Sequence, residues 1–167
     1  MRYRGPYVID TNVFIQAANH YYAFDIVPSF WPKLVELAGN GRILTIDRVR
    51  TEIEKGGDEL AKWIIRDFPQ DGIVSSSDER ITRAVELVMQ WVYDSQRDFF
   101  AYARNAFASS ADPWVIAYSV AYNCCVVTQE EYKADIKRKV PIPNVCRGLD
   151  IPCVDTFAMM RELAIAI

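Results

Sequence analysis

Two carboxylates of this chain stand inside apolar runs, Asp10 in Val8-Ile9-Asp10-Thr11-Asn12-Val13-Phe14 and Asp112 in Asp112-Pro113-Trp114-Val115-Ile116-Ala117. A charge buried there without a partner costs several kcal/mol, so something must compensate each one. Asp10 can be met by backbone amides of the turn that follows it. Asp112 can be a helix N-cap with proline behind it. Both readings stay open beside a shared chemical role. A third acid comes from Arg50-Thr51-Glu52-Ile53-Glu54. Glu52 and Glu54 are about 200° apart around a helix and cannot face one site. Val49 and Ile53 mark the buried face, which turns Glu52 inward and Glu54 to solvent; Asp47 is left as a cap.

Should Asp10, Glu52 and Asp112 converge, each pair at about 5 Å would repel by roughly 3 kcal/mol at an effective dielectric near 20. Such a cluster takes up protons or binds a hard cation. Magnesium and manganese prefer oxygen ligands from carboxylates, water and substrate phosphate, which is what an all-acid site offers. The chemistry that follows is hydrolysis of a phosphate ester by metal-activated water. It needs no histidine, and the chain has one, His20. That excludes H-E-x-x-H zinc proteases and ribonucleases that pair two histidines. No G-x-S-x-G elbow or phosphate-binding glycine loop is present. A dehalogenase-type phosphatase would need an acid two residues after Asp10, where Asn12 stands.

Positioning three acids from distant parts of the chain requires a scaffold, and 167 residues with 51% hydrophobic and 25% charged side chains suit one compact domain, residues 1–167. Tyr7 to Ile15 reads as a strand buried on both faces. Pro28 to Ala38 has helical rhythm and stops at Gly39-Asn40-Gly41. Ile43–Ile46, Gly72–Val74, Cys124–Thr128 and Ile151–Val154 read as further strands. Helices are expected from Asp47, through Leu60, Ile64 and Phe68, over Glu79–Tyr93, over Ser95–Phe107 behind a Ser95/Asp98 capping box, from Pro113 to about Tyr122, and after Asp155 or Thr156. Strands separated by helices imply an α/β fold with a parallel sheet, whose ligand crevice lies at the carboxyl ends of the strands. Polar residues that end apolar strands, or begin the helices after them, are therefore the candidates.

Tyr7-Val-Ile-Asp10-Thr-Asn-Val-Phe-Ile15, Val49-Arg-Thr-Glu52-Ile53, Ala111-Asp112-Pro-Trp-Val-Ile-Ala117 and Val126-Val-Thr128-Gln-Glu130 resemble the four successive acidic motifs of the PIN-domain nucleases. Each is weak alone; four in order are strong together. The resemblance reaches the segment Cys153 to Glu162 and covers nearly the whole chain. It implies a three-layer α/β/α sandwich with a central parallel sheet, a Mg2+- or Mn2+-dependent cleft and cleavage of RNA. Carried across, the acids that hold metal and do catalysis are Asp10, Glu52, Asp112 and Glu130, with Thr11, Asn12 and Thr128 in support. The family often has Thr-x-Asp where this chain has Thr128-Gln129-Glu130. Many small members are VapC-like toxins, which implies a toxin-type endoribonuclease with a protein antitoxin. A housekeeping RNA-processing nuclease and a catalytically inert RNA- or protein-binding module are the alternatives.

Nineteen Lys and Arg against 22 Asp and Glu give a net charge of −3, so no global field draws the protein to nucleic acid. Local cations must do so. Lys133, Lys137, Arg138 and Lys139, with Arg147 further on, follow Thr128 and Glu130; Arg48 and Arg50 flank Glu52. Each can be a solvated surface charge or reach an RNA phosphate. Tyr21, Tyr22, Phe24, Phe30 and Trp31 can pack in the core, stack on unpaired bases, or form a homodimer or antitoxin surface. Cys124, Cys125, Cys146 and Cys153 lack zinc spacing and suit a reducing cytoplasm as free thiols, with no membrane partner expected.

Overall fold

The computed structural model describes Tyr3 and residues 5–167. Five parallel strands form one sheet: β1 (Tyr7–Ile9), β2 (Ile43–Ile46), β3 (Ile73–Val74), β4 (Cys125–Val127) and β5 (Cys153–Val154), in the order β3-β2-β1-β4-β5. The chain moves outward from β1 to β2 and β3, then crosses back to β4 and continues to β5. The reversal falls between β1 and β4, where Val8 pairs with Val126 and Ile9 with Val127. Crevices of open parallel sheets lie at this switch point, beyond the carboxyl ends of the strands.

Helices α1 (Thr11–Gln16), α2 (Phe30–Gly39), α3 (Asp47–Lys55) and α4 (Glu59–Arg66) belong to the first two crossovers. Phe14, Trp31, Trp63 and Phe68 meet edge-to-face or tilted with centroids 4.8–6.0 Å apart, which locks α1, α2 and α4 into one aromatic core. Helices α5 (Glu79–Tyr93), α6 (Ala101–Ser109) and α7 (Asp112–Tyr122) bridge β3 and β4, with α7 packed on β1, β2 and β4 and covered by α5. Helix α8 (Ile142–Gly148) joins β4 to β5, and α9 (Thr156–Glu162) closes the chain, held to β1 by the Tyr7 hydroxyl on Glu162. The result is the expected α/β/α sandwich. Among the described residues no helix is long and apolar enough to cross a membrane.

Three expectations need correction, and one element was not expected. The first apolar run is not one strand: it ends at Ile9, and Thr11 begins a helix that buries Val13, Phe14 and Ala17 at helical spacing. The helix after α5 begins at Ala101 and not at Ser95, because Asp98 takes the left-handed conformation at φ 53° and breaks any earlier turn. Asp47 is the first residue of α3 and not its cap. Its carboxylate instead accepts the Ser76 hydroxyl at 2.5 Å and amide at 3.2 Å, pinning the end of β3 to the start of α3. The basic stretch after β4 forms no helix, and α8 follows it, unforeseen. The stop at Gly39-Asn40-Gly41 holds, with Gly41 at φ 70° where a Cβ would be strained.

Candidate functional site

Asp10 leaves β1 at the switch point and is 1% exposed. It occupies the N-cap position of α1 without a capping hydrogen bond from its side chain. One carboxylate oxygen, Oδ2, accepts the Thr128 hydroxyl at 3.1 Å from the end of β4. The other, Oδ1, is buried and meets no donor among the described residues. Burial, then the charge of Glu130, push its pKa up to about 7; the Thr128 hydroxyl and, more weakly, the Thr11 backbone pull the other way, and Glu52 adds to the rise.

Asp112 comes from the opposite side, as the first residue of α7. It is not a cap either: Ala111 holds that position, and among the described residues no hydrogen bond reaches the Asp112 side chain. Its pKa is raised well above the ordinary carboxylate value by burial first, then by the charges of Asp10, Glu130 and Glu52, against a smaller opposing pull from Lys139. The four acids therefore share one electrostatic environment.

Glu52 and Glu130 differ from the two aspartates in being fully engaged. Glu52 turns inward from α3, and its oxygens accept the Thr11 hydroxyl at 2.6 Å and the Ala111 amide at 2.7 Å. It braces α3 against the starts of α1 and α7, the segments that carry Asp10 and Asp112. Glu54 points outward and pairs with Arg50 at 2.5 Å. Glu130 accepts Lys139 Nζ at 2.7 Å and the Ile142 amide, at the start of α8, at 2.8 Å. Thr128 supports both sides of the junction, since its hydroxyl also accepts the Glu130 amide at 3.2 Å. Asn12 lines a cavity of about 260 Å³ with Gln129, Glu130, Glu131, Lys133 and Lys139.

The basic residues scatter. Arg48 lies over the Trp114 ring, 3.6 Å from its centroid, and donates from Nε to Ser76; Arg50 is held by Glu54 and Gln70. Lys137 pairs with Asp98 at 2.6 Å. Lys133, Lys137 and Arg138 line one open cavity of about 410 Å³ with Phe100, and Arg138 also shares one of about 150 Å³ with Asp112 and Lys139. The sequence reading missed the Glu52–Ala111, Glu130–Ile142 and Asp47–Ser76 links. Only the second left a sequence signal, the prolines at 141 and 143 that mark a helix start.

A magnesium-sized ion fits the chemistry of this donor set. Among the described residues no group of three or more His, Cys, Asp or Glu side chains is placed to hold a metal ion. Magnesium keeps several waters and asks for only one or two carboxylates. Asp10 Oδ1 and the Asp112 carboxylate are what the site offers free.

A parallel sheet with carboxylates gathered at its switch point defines a PIN-like α/β/α protein. The solved structure titled VapBC2 from Rickettsia felis bound to a DNA fragment from their promoter shares this fold, with a TM-score of 0.54 at 14% identity over 89% of this chain and 97% of that one. The chain belongs to the family described as Domain of unknown function (DUF4411), whose profile matches residues 7–167. No curated protein matches the chain.

Proposed function

We propose that the chain is a divalent-metal-dependent endoribonuclease that hydrolyses RNA phosphodiester bonds and acts as the toxin of a VapBC-type toxin-antitoxin pair. The observation that carries this reading is the pair Asp10 and Asp112. They are mutually repelling carboxylates, one with a buried oxygen lacking any donor among the described residues, at the carboxyl ends of a parallel sheet. The fold shared with VapBC2 supports the toxin role and a protein antitoxin as partner. RNA as substrate rests on the resemblance of the four acidic motifs to PIN-domain nucleases.

Asp10 and Asp112 would hold Mg2+ or Mn2+, which when bound supplies positive charge against the phosphate oxygens and activates water. The rest of the work falls to the chain. Thr128 orients Asp10 through its hydroxyl, leaving Oδ1 free. Glu52 holds α1 and α7 in register, and Glu130 anchors the start of α8 while keeping Lys139 beside the cleft. Lys139 and Lys133 line the cavity shared with Asn12, where they meet a phosphate approaching the acids.

The test is incubation of purified protein with structured and single-stranded RNA in Mg2+, Mn2+ or EDTA, beside Asp10→Asn and Asp112→Asn. Cleavage is expected only with metal, and each variant should lose about 10²-fold or more in rate. A purely structural role for Asp112 predicts an almost silent substitution, since Asn keeps its shape at the start of α7. Equal cutting by all three proteins would mark a contaminant. Absence of both cutting and metal binding would favour an inert binding module.

A further inference from the structure

One cavity beside the acids has no part in the hydrolytic chemistry. It has a volume of about 310 Å³ and adjoins the acids directly, because Thr128 and Glu130 form one of its sides. Ile151 and Val154 give it apolar wall. On its rim the Arg147 guanidinium lies over the Tyr132 ring, 4.4 Å from the centroid, and both side chains are exposed. Asp155 also lines the cavity and spends Oδ1 on the Ala158 amide at 2.7 Å to cap α9. Its Oδ2 accepts no hydrogen bond among the described residues, and no ion pair there engages Arg147 or Asp155.

These features select a kind of occupant. An aliphatic group would cover the walls and leave both charges unpaired, and a phosphate would be repelled by Asp155. A flat heteroaromatic ring meets every requirement: its faces take the apolar wall and the guanidinium–tyrosine platform, and its polar edge takes the carboxylate. Carboxylates accept from amino groups on bases. We propose that this cavity binds an unpaired nucleobase beside the scissile phosphate and prefers bases carrying an amino group (guanine, adenine or cytosine) over uracil. This rests on the nuclease reading above, which places the phosphate at the adjoining acids. A base seated there cannot pair at the same time, so the substrate is single-stranded at that nucleotide.

The test is an NMR titration of the wild-type chain in EDTA with the dinucleotides ApA, CpC, GpG and UpU, followed by mapping of cleavage sites in RNA with Mg2+. At least one amino-bearing dinucleotide should bind several-fold tighter than UpU and shift the signals of Tyr132, Ile151 and Val154. Tyr132→Ala and Arg147→Ala should each weaken binding about tenfold, in line with loss of one stacking partner. Tyr132→Phe should restore it. Asp155→Asn keeps the cap on α9, so it should leave the melting curve in place while erasing the preference against UpU. Cleavage sites should carry the same base preference. RNA cutting without dinucleotide binding, or with binding unchanged in the variants, overturns the base site and leaves the nuclease reading standing. Dinucleotide binding with these losses but no RNA cutting does the reverse, supporting base recognition while the nuclease reading falls. No binding by any dinucleotide overturns the proposal whatever the RNA does.

Discussion

Four carboxylates that look alike in the sequence divide by what already holds them. Asp10 and Asp112 keep oxygens free of hydrogen bonds among the described residues, whereas all four oxygens of Glu52 and Glu130 are taken by an amide, a hydroxyl or a lysine. Substitution should expose that division. Glu52→Gln can still accept the Ala111 amide and donate to Thr11, so urea melts should move little while RNA cleavage drops at least tenfold through the lost charge. Glu52→Ala leaves that amide without its acceptor and should cost about 1–3 kcal/mol as well. Glu54→Gln gives up only a surface pair with Arg50, worth about 0.3–0.5 kcal/mol, and should leave cleavage intact. The reverse ranking would mean that Glu54 faces the site. A second residue-scale expectation concerns the thiols, all four of which are free. Cys153 is half-buried and the neighbouring Cys146 holds it below the ordinary thiol range, while the other three are buried and burial pushes Cys124 up to about 11 and Cys125 up to about 12. Cys153 should therefore be alkylated first, as mass mapping after brief iodoacetamide treatment would read; prior labelling of Cys124 or Cys125 would contradict it.

Elements were legible where periodicity and punctuation agreed. The phase of α3 follows from Val49 and Ile53, and the turn after α2 follows from Asn40-Gly41, because in each a local rule coincides with the tertiary outcome. The run from Tyr7 to Ile15 misled because it is apolar throughout; the spacing of Val13, Phe14 and Ala17 held the helical information, one turn too short to stand out. Ile142, Val145, Cys146 and Leu149 carry a full helical pattern behind Pro141, yet the basic residues before it drew attention to charge. The acids were readable as types in apolar settings; their division into free and engaged pairs was not, since it depends on amides from α7 and α8 that only the fold brings near. A contact between α3, α7 and the segment after β3 is another product of the fold. Arg48 on α3, Trp114 on α7 and Ser76 beyond β3 meet there, with Asp47 on the same serine. Arg48→Ala should lower stability by about 0.5–1 kcal/mol in urea melts, the loss of an exposed cation–π contact. An unchanged melt together with weaker, salt-dependent RNA binding would instead assign Arg48 to the phosphate track.

At the scale of the whole molecule, the fold concentrates negative charge at its own switch point, and folding must bear that repulsion. Asp10 has its pKa raised to about 7, against an ordinary carboxylate value near 3.8. Between those values the folded chain keeps a proton that the unfolded chain has released. Stability without metal should therefore fall as pH rises through that window, with a slope of up to about 1.4 kcal/mol per pH unit for one such group. Asp112, shifted in the same direction, adds to the fall. A divalent cation reverses the balance by binding the ionised form, and it stabilises the folded chain by mass action. The gain in melting temperature from Mg2+ or Mn2+ over EDTA should then be small near pH 5, where protons compete for the oxygens, and larger near pH 8. Asp10→Asn should flatten the pH dependence in EDTA and shrink the gain from metal at pH 8. Thermal shift measurements at both pH values, for wild type and variant, decide the matter. Melting curves that ignore every cation at pH 8, or a wild type in EDTA that grows more stable from pH 5 to pH 7, would show that the four acids do not act as one charged cluster.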